Sequence, residues 1–493
     1  MISFEEFKNL AAPKTIIPLY QKINGDFLTP SMLYLKLREA GKNSFLLESV
    51  THGEHLGRYS FIGFSPFYYL KDTGHGVYEG NPSGGCYPVN ISFFDKLSNC
   101  LKDYMPVRLD DLPHFTCGAV GFIDYEMAGT YEALPLPHHD SIGTDYAFMA
   151  FYKNLIAIDH AKNEVILISN VFLENTHNLQ ERYQEAHADL QTMSEKIRAI
   201  EKKEASFYAN IQTVSCHFKK ENFLQAIQKA KSYIYAGDIF QVVLSRRFSL
   251  PYEGDPFHVY RSLRNINPSP YLYYLDCADY QIIGSSPEPL IRCLEDELEI
   301  IPIAGTRPRG QTKEEDESQA YTLLNDPKEL SEHIMLVDLA RNDMGRIAEY
   351  GSIRVQDLKT IERYSHVMHI ISRVTGHLRK DLHAVDAFKA SFPAGTVSGA
   401  PKIRAMEIIH ELEPENRGIY SGAIGYFDYS GNSDTCIAIR TLIAKENMLY
   451  FQAGAGIVAE SDPERECQEI NDKAKAMIQA IVEARKRTYD FIY

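Results

Sequence analysis

Two Asp-Pro pairs, Asp326-Pro327 and Asp462-Pro463, fix where two helices begin. An Asp carboxylate accepts hydrogen bonds from the exposed first-turn N–H groups. Pro suits the next position because the N–H it lacks would be unpaired there anyway. The runs that follow carry Glu329 and Glu332, then Glu466 and Glu469, each pair three residues apart. Side chains at that spacing share a helix face, with Cβ atoms roughly 5–6 Å apart. If the two faces met, four carboxylates would surround one point, a donor set suited to Mg2+. Taken alone, either run is equally well an acidic first turn that favours the helix dipole and faces solvent.

The chain has 493 residues, 44% hydrophobic and 24% charged, which is ample for a buried core. Length suggests roughly two to four domains. With 51 basic and 66 acidic side chains the net charge is -15, which argues against wrapping nucleic acid or docking on anionic lipid. The segment Met1–Lys8 has neither the basic flank nor the apolar run of a signal peptide. No apolar stretch approaches the ~20 residues of a membrane span, so a cytoplasmic location is expected. The 8 cysteines form no C-x-x-C pair, suggesting neither a zinc knuckle nor a disulfide framework. None sits in a glycine-flanked elbow that would present a nucleophilic thiol, so no glutaminase is expected within this chain.

A polar stretch with apolar residues at helical spacing, Glu174 to Lys203, reads as one or two surface helices joining residues 1–205 to residues 206–493. Before it, Phe148–Ile158 and Glu164–Val171 read as strands. After it, the pattern predicts helices at Lys220–Ala236, Glu329–Asn342, Val385–Ala390 and Ala474–Lys486. Strands are predicted at Ile239–Phe248, Tyr271–Asp276, Tyr280–Gly284 and Glu297–Pro302. A hairpin is predicted from Tyr420–Asp428 and Asp434–Ala444 around Ser430-Gly431-Asn432. Strands interleaved with surface helices favour an α+β fold.

Several stretches carry candidate chemistry. Phe392–Lys402 packs two glycines and two prolines into a tight loop before a helix over Lys402–Leu412, where backbone N–H groups can cradle an anion. Gln452–Val458, following a strand, holds Gly454 and Gly456, which permit close backbone approach to a ligand or a tight strand crossing. Arg440 is a charge within an otherwise apolar strand, sharing a face with Ala438 and Cys436. It is either paired or poised for a ligand carboxylate. Glu288 follows a strand at a proline-fixed bend, and His369 lies in an apolar strand-like run; either can serve as a general acid or base if buried near a charge.

Ile301–Gly310, the two acidic runs, the Phe392–Lys402 loop and the Gly454–Gly456 run together resemble the chorismate-utilising enzymes, most closely the large (component I) subunits of anthranilate synthases. The similarity covers nearly the whole chain, including Leu46–Ser49 and Gly57–Gly63. It implies antiparallel sheets packed face to face with flanking helices. It also implies a catalytic part at 206–493, and an interleaved regulatory part at 1–205 that binds tryptophan.

The resemblance implies roles for particular residues. Mg2+ held by Glu332 and Glu469, with Glu329 and Glu466 holding metal-bound water, would position the ring carboxylate of chorismate. The enolpyruvyl carboxylate would meet Arg440, Tyr420 and backbone near Gly454 and Gly456, with Thr396 and Lys473 completing the pocket. Glu288 would protonate the departing hydroxyl, with Thr306 nearby, and His369 would act as base in pyruvate elimination. Aminodeoxychorismate synthases, the alternative activity, carry a nucleophilic lysine where this chain has Ala304. Isochorismate and salicylate synthases carry a basic lysine where it has Gln241. Both positions favour anthranilate formation. Leu47, Glu48 and Ser49, with Arg58 as a further participant and Pro268, Pro270 and Tyr271 closing over the indole, would form the inhibitor site. Ammonia would come from a glutamine amidotransferase subunit, the two expected as a heterotetramer. The absence of tryptophan from a chain with 31 Tyr and 25 Phe suits an enzyme made when tryptophan is scarce, drift being the alternative.

Overall fold

The computed structural model describes residues 2–39, 41–49, 57–82, 84–135, 137–199, 206–364 and 367–489. Two large sheets dominate. The first has 14 strands, the second 12. Neither belongs to one half of the sequence. In the first, Tyr271–Asp276 pairs antiparallel with Ser44–Glu48, placing Leu272 opposite Glu48. In the second, Ala423–Asp428 pairs antiparallel with Gly118–Ile123. One short parallel pairing, Thr15–Ile16 with Met105–Pro106, departs from the antiparallel rule.

The inner faces meet in an aromatic-rich layer containing Phe45, Phe122, Phe148, Tyr273 and Ile424. Phe45 meets Tyr152 edge-on at 4.8 Å, and burying each such side chain contributes roughly 1.5–3 kcal/mol. Helices Phe257–Ile266 and Pro463–Tyr489 cover the first sheet; Phe93–Lys102, Pro327–Gly345 and Ala384–Ser391 cover the second. Amphipathic helices over face-to-face sheets give the α+β architecture expected from the sequence. No described helix is long and apolar enough to cross a membrane.

Most predicted elements are present, and Lys220–Ala236, Tyr271–Asp276 and Lys402–Leu412 match residue for residue. The differences arise where the chain changes sheets. The strand predicted over Phe148–Ile158 is two, Ala147–Tyr152 in the second sheet and Asn154–Asp159 in the first. The second arm of the predicted hairpin stops at Ile437 and resumes in the other sheet as Thr441–Lys445. Arg440 is therefore not a strand residue. It occupies the link with φ of 51°. Gln452–Val458 does not follow a strand; all but Val458 lies within the strand Met448–Ile457. The polar seam contains one helix, Leu179–Arg198. Its predicted end at Lys203, the division between residues 205 and 206, and His366 involve positions outside the described residues.

Candidate active site

Both acidic runs start helices in the way their sequences dictate. The Asp326 carboxylate accepts from the Lys328 and Glu329 amides at 3.0 and 3.3 Å, and Asp462 accepts from the Arg465 amide at 2.9 Å. The two turns face each other closely enough for their charges to interact: Glu469 acts on Glu332, and Lys328 on Glu466. Burial pushes Glu332 above the usual carboxylate range. The Gln241 amide, donating to it at 3.3 Å, opposes that rise, and Glu329 and Glu469 reinforce it. Burial likewise raises Glu466.

The expected convergence of four carboxylates is only partly present. Among the described residues no three Asp, Glu, His or Cys side chains form a ready-made cation site. Cations draw two of the four aside: Arg307 holds Glu329 at 3.1 Å and Lys473 holds Glu469 at 2.7 Å. The donor set nevertheless fits Mg2+. It consists of hard oxygens only, and Glu332 and Glu466 are half-buried beside further carboxylates, a repulsion that a divalent ion would reverse.

Glu288 and Arg440 lie where the chain crosses between sheets. Tyr280–Ser286 belongs to the first sheet and Pro289–Leu294 to the second, so Pro287 and Glu288 form one crossover. Residues 438–440 form another. The crossovers are stitched together: the Ile437 amide donates to the Glu288 carbonyl at 3.0 Å, and the Ser285 amide to the Arg440 carbonyl at 3.2 Å. Burial raises the Glu288 pKa, with Thr396, Lys473 and Arg440 each close enough to oppose the rise. The Thr396 hydroxyl is itself buried without a well-aligned hydrogen bond. Arg440 is held below its ordinary pKa by desolvation, Glu288 compensating in part. Among the described residues no carboxylate forms an ion pair with its guanidinium, which lines a cavity of about 430 Å3 together with Arg465, Gln468, Glu469 and Lys473.

His369 stands opposite Thr306 in the pairing of Val367–His377 with Ile303–Pro308. Its Nδ1 lies 2.9 Å from the Gly305 carbonyl and 3.1 Å from Thr306 Oγ1. A carbonyl can only accept, so Nδ1 carries the proton and Nε2 keeps a lone pair. Burial lowers the His369 pKa, keeping the ring neutral. A bulge at Gly305, with φ of 67°, aims that carbonyl. A Cβ there would meet Leu323 Cδ1 at 2.9 Å and Glu329 Oε2 at 3.0 Å, so glycine is required.

Lys473 donates to the Gly454 carbonyl at 2.9 Å. A Cβ on Gly454 would come 2.6 Å from Tyr420 Oη, and one on Gly456 2.4 Å from Gln241 Nε2. Both glycines thus make room for the side chains facing them. Gln241 Oε1 is buried and unpartnered. Burial pushes the Tyr420 hydroxyl up to about 12.

Residues 89–479 match the family model for chorismate binding enzymes. The chain belongs to the chorismate-binding enzymes. Among curated relatives, it is 43% identical over 496 residues to anthranilate synthase component 1 of Aquifex aeolicus (strain VF5), covering 97% of each chain. It is also 43% identical over 489 residues to anthranilate synthase component 1 of Acetivibrio thermocellus, covering 98% of each. The crystal structure of anthranilate synthase component I from Streptococcus pneumoniae TIGR4 superposes with a TM-score of 0.74 at 37% identity, over 92% of this chain and 98% of that one. Within the chorismate-binding enzymes, the chain therefore belongs with the anthranilate synthase component 1 subunits. Escherichia coli MenF, a menaquinone-specific isochorismate synthase, has the same fold, with a TM-score of 0.72 at 18% identity over 97% of both chains.

The remaining expected residues of this chorismate-binding enzyme lie at the edge shared by Ser44–Glu48 and Tyr271–Asp276. Glu48 is buried, accepting from Tyr260 Oη at 2.5 Å and Arg264 Nε at 3.1 Å. Ser49 Oγ is buried and has no hydrogen-bond partner among the described residues. Leu47 packs into the inter-sheet layer. Pro268 and Pro270 precede Tyr271, whose hydroxyl reaches across to Asp434 at 2.8 Å. Arg58 has its guanidinium on Asp159 at 2.8 Å.

Motif reading missed Arg417 and Glu413. This fully buried pair joins at 2.7 Å. Arg417 donates to the Val243 and Val397 carbonyls at 2.6 Å each and lies over the Tyr420 ring at 5.8 Å. It thus positions Tyr420 and the loop bearing Thr396. The only sequence signal was an i,i+4 acid–base pair just before Tyr420.

Proposed function

We propose that this chain is the large subunit of an anthranilate synthase that converts chorismate and ammonia to anthranilate and pyruvate with Mg2+. Chorismate is a dianion. Arg440, Tyr420 and the backbone at Gly454 and Gly456 suit its enolpyruvyl carboxylate, and the two acidic turns suit a ring carboxylate that arrives with the cation. Glu332 and Glu469 would hold Mg2+, with Glu329 and Glu466 beside them. When bound, the ion supplies positive charge that orients the ring carboxylate and offsets its repulsion from the glutamates.

Ammonia attacks ring carbon 2, the double-bond electrons shift, and the 4-hydroxyl leaves. Hydroxide is a poor leaving group, so Glu288 gives it a proton and water departs. The product of this step is 2-amino-2-deoxyisochorismate. His369 Nε2 then takes the proton on carbon 2 while the carbon–oxygen bond to the side chain breaks. The departing enolpyruvate gains a proton at its methylene carbon to become pyruvate, and the ring becomes aromatic. A neutral imidazole is the competent base, and a protonated carboxyl the competent acid.

One observation carries the reading: Thr396, Lys473 and Arg440 all lie within electrostatic reach of the Glu288 carboxyl, which burial biases toward its protonated form. Ammonia would come from a glutamine amidotransferase partner, and tryptophan would inhibit from a site where Leu47–Ser49 of a regulatory part spanning residues 1–205 meets Pro268–Tyr271 of the catalytic part. The test is purified chain with chorismate, Mg2+ and ammonium chloride. Anthranilate fluorescence with release of pyruvate supports the reading. A product that retains the pyruvyl group overturns it.

A further inference from the structure

A second cavity, of about 310 Å3, lies where residues 124–146 meet residues 406–417. That volume suits a compact organic ligand. It is separate from the catalytic cleft but joined to it through Arg417, whose guanidinium lies 4.8 Å over Tyr125, a lining residue, and 5.8 Å over Tyr420.

One wall is flat. His138 and His410 stack at 3.9 Å with planes 4° apart, locked by a 2.7 Å hydrogen bond between His138 Nε2 and the His410 carbonyl. Met406 and Ile409 add apolar surface. The polar lining includes four carboxylates, Asp72, Glu126, Glu413 and Glu415, beside Arg417. Glu126 accepts from the Arg417 and Gly418 amides at 2.7 and 2.9 Å, and burial pushes it up to about 7. Asp72, also lining the cavity, is raised by burial. Among the described residues no lysine or arginine forms an ion pair with either carboxylate. The nearby cations are already committed, Arg417 to Glu413 and Arg247 to Glu415. Among the described residues the hydroxyl of Tyr125, 7% exposed, has no hydrogen-bond partner. Buried polar groups are ordinarily satisfied, so this orphan hydroxyl, in a cavity also lined by two carboxylates without ion-pair partners, points to a missing ligand.

We infer that this cavity binds a small organic cation, its primary ammonium group at Glu126 and Asp72 with Tyr125 Oη as a further acceptor, and its flat apolar body against the His138–His410 wall. An ammonium has three donors and no acceptor, matching a site that offers acceptors and negative charge.

The test reads binding rather than turnover, so it stands apart from the chorismate chemistry. The full chain is titrated calorimetrically with phenethylammonium chloride in mildly alkaline buffer, with phenethyl alcohol and phenylacetate as controls. Saturable binding of the amine, at least about tenfold weaker for the alcohol and absent for phenylacetate, is expected; tenfold is about 1.4 kcal/mol. Glu126→Gln should weaken the amine by about tenfold, and Met406→Trp, which fills the cavity, should abolish binding. Ile409→Phe replaces the latter should it fail to fold, as read by circular dichroism. Equal affinity for amine and alcohol, no saturable binding at millimolar amine, or binding that survives the filled cavity would each overturn the site.

Discussion

Burial acts on Glu288 and His369 in opposite directions because it always disfavours the charged form. A desolvated carboxyl keeps its proton to higher pH, and a desolvated imidazole loses its proton at lower pH. The amination rate, corrected for the fraction of free ammonia, should therefore fall as pH rises through the raised Glu288 pKa. Elimination from isolated aminated intermediate should fall only as pH drops through the lowered His369 pKa. Rapid-quench kinetics across pH checks both limbs, and a shared limb would remove the division of labour. Glu288→Gln should reduce kcat by about 10²–10⁴, the usual range for a lost general acid. His369→Met should slow elimination more than amination, so that 2-amino-2-deoxyisochorismate accumulates; chromatography showing no such species counts against the role.

Paired crossovers present Glu288 and Arg440, while His369 stays on a strand. A chain switching sheets must break its ladder, and the break leaves Glu288 and Arg440 outside the ladders, between flanking strands that hold them. The facing strand contributes by leaving space. Gly454→Ala would place a methyl 2.6 Å from Tyr420 Oη and 3.0 Å from the Leu244 carbonyl. Overpacking of that kind costs about 1–3 kcal/mol, and chorismate KM should rise with little loss of fold. Arg417→Met has a different signature. It strands Glu413 as a buried, unpaired charge, so denaturant unfolding should show about 3–5 kcal/mol of lost stability. Glu469→Gln lies between these cases: its carboxylate is about half exposed, at 48%. Turnover should be abolished while circular dichroism stays unchanged, and near-normal activity would remove Glu469 from the metal site.

Across the whole molecule, sheets shared between residues far apart in sequence connect the proposed inhibitor residues to the proposed catalytic ones. Ser44–Glu48 pairs with Tyr271–Asp276, which pairs with Tyr280–Ser286, the strand leading into Glu288. A ligand at Glu48 and Ser49 is thus two strands from the general acid, and differential binding to two arrangements of that sheet is all that inhibition requires. Among the described residues Ser49 Oγ has no hydrogen-bond partner, so Ser49→Ala should leave thermal stability unchanged while raising the tryptophan concentration for half-inhibition by about tenfold, roughly one lost hydrogen bond. Chelation of Mg2+ should stop turnover yet barely move Tm, because Asp caps and sheet packing, not the cation, form the acidic turns.

The two Asp-Pro helix starts, the α+β class and the bounds of elements such as Lys220–Ala236 and Lys402–Leu412 were legible in the sequence because they are local. Asp326-Pro327 dictates an N-terminus whatever lies around it, and the apolar spacing of Lys220–Ala236 carries its own period. The tertiary structure alone decided that Arg440 leaves its strand, that Gly454 and Gly456 lie inside one, and that Glu413 and Arg417 form the buried pair behind Tyr420. Sheet crossovers follow from which distant strands pair. Those pairings are chosen by the packing of two whole sheets against each other, a collective free energy that no short stretch of residues contains.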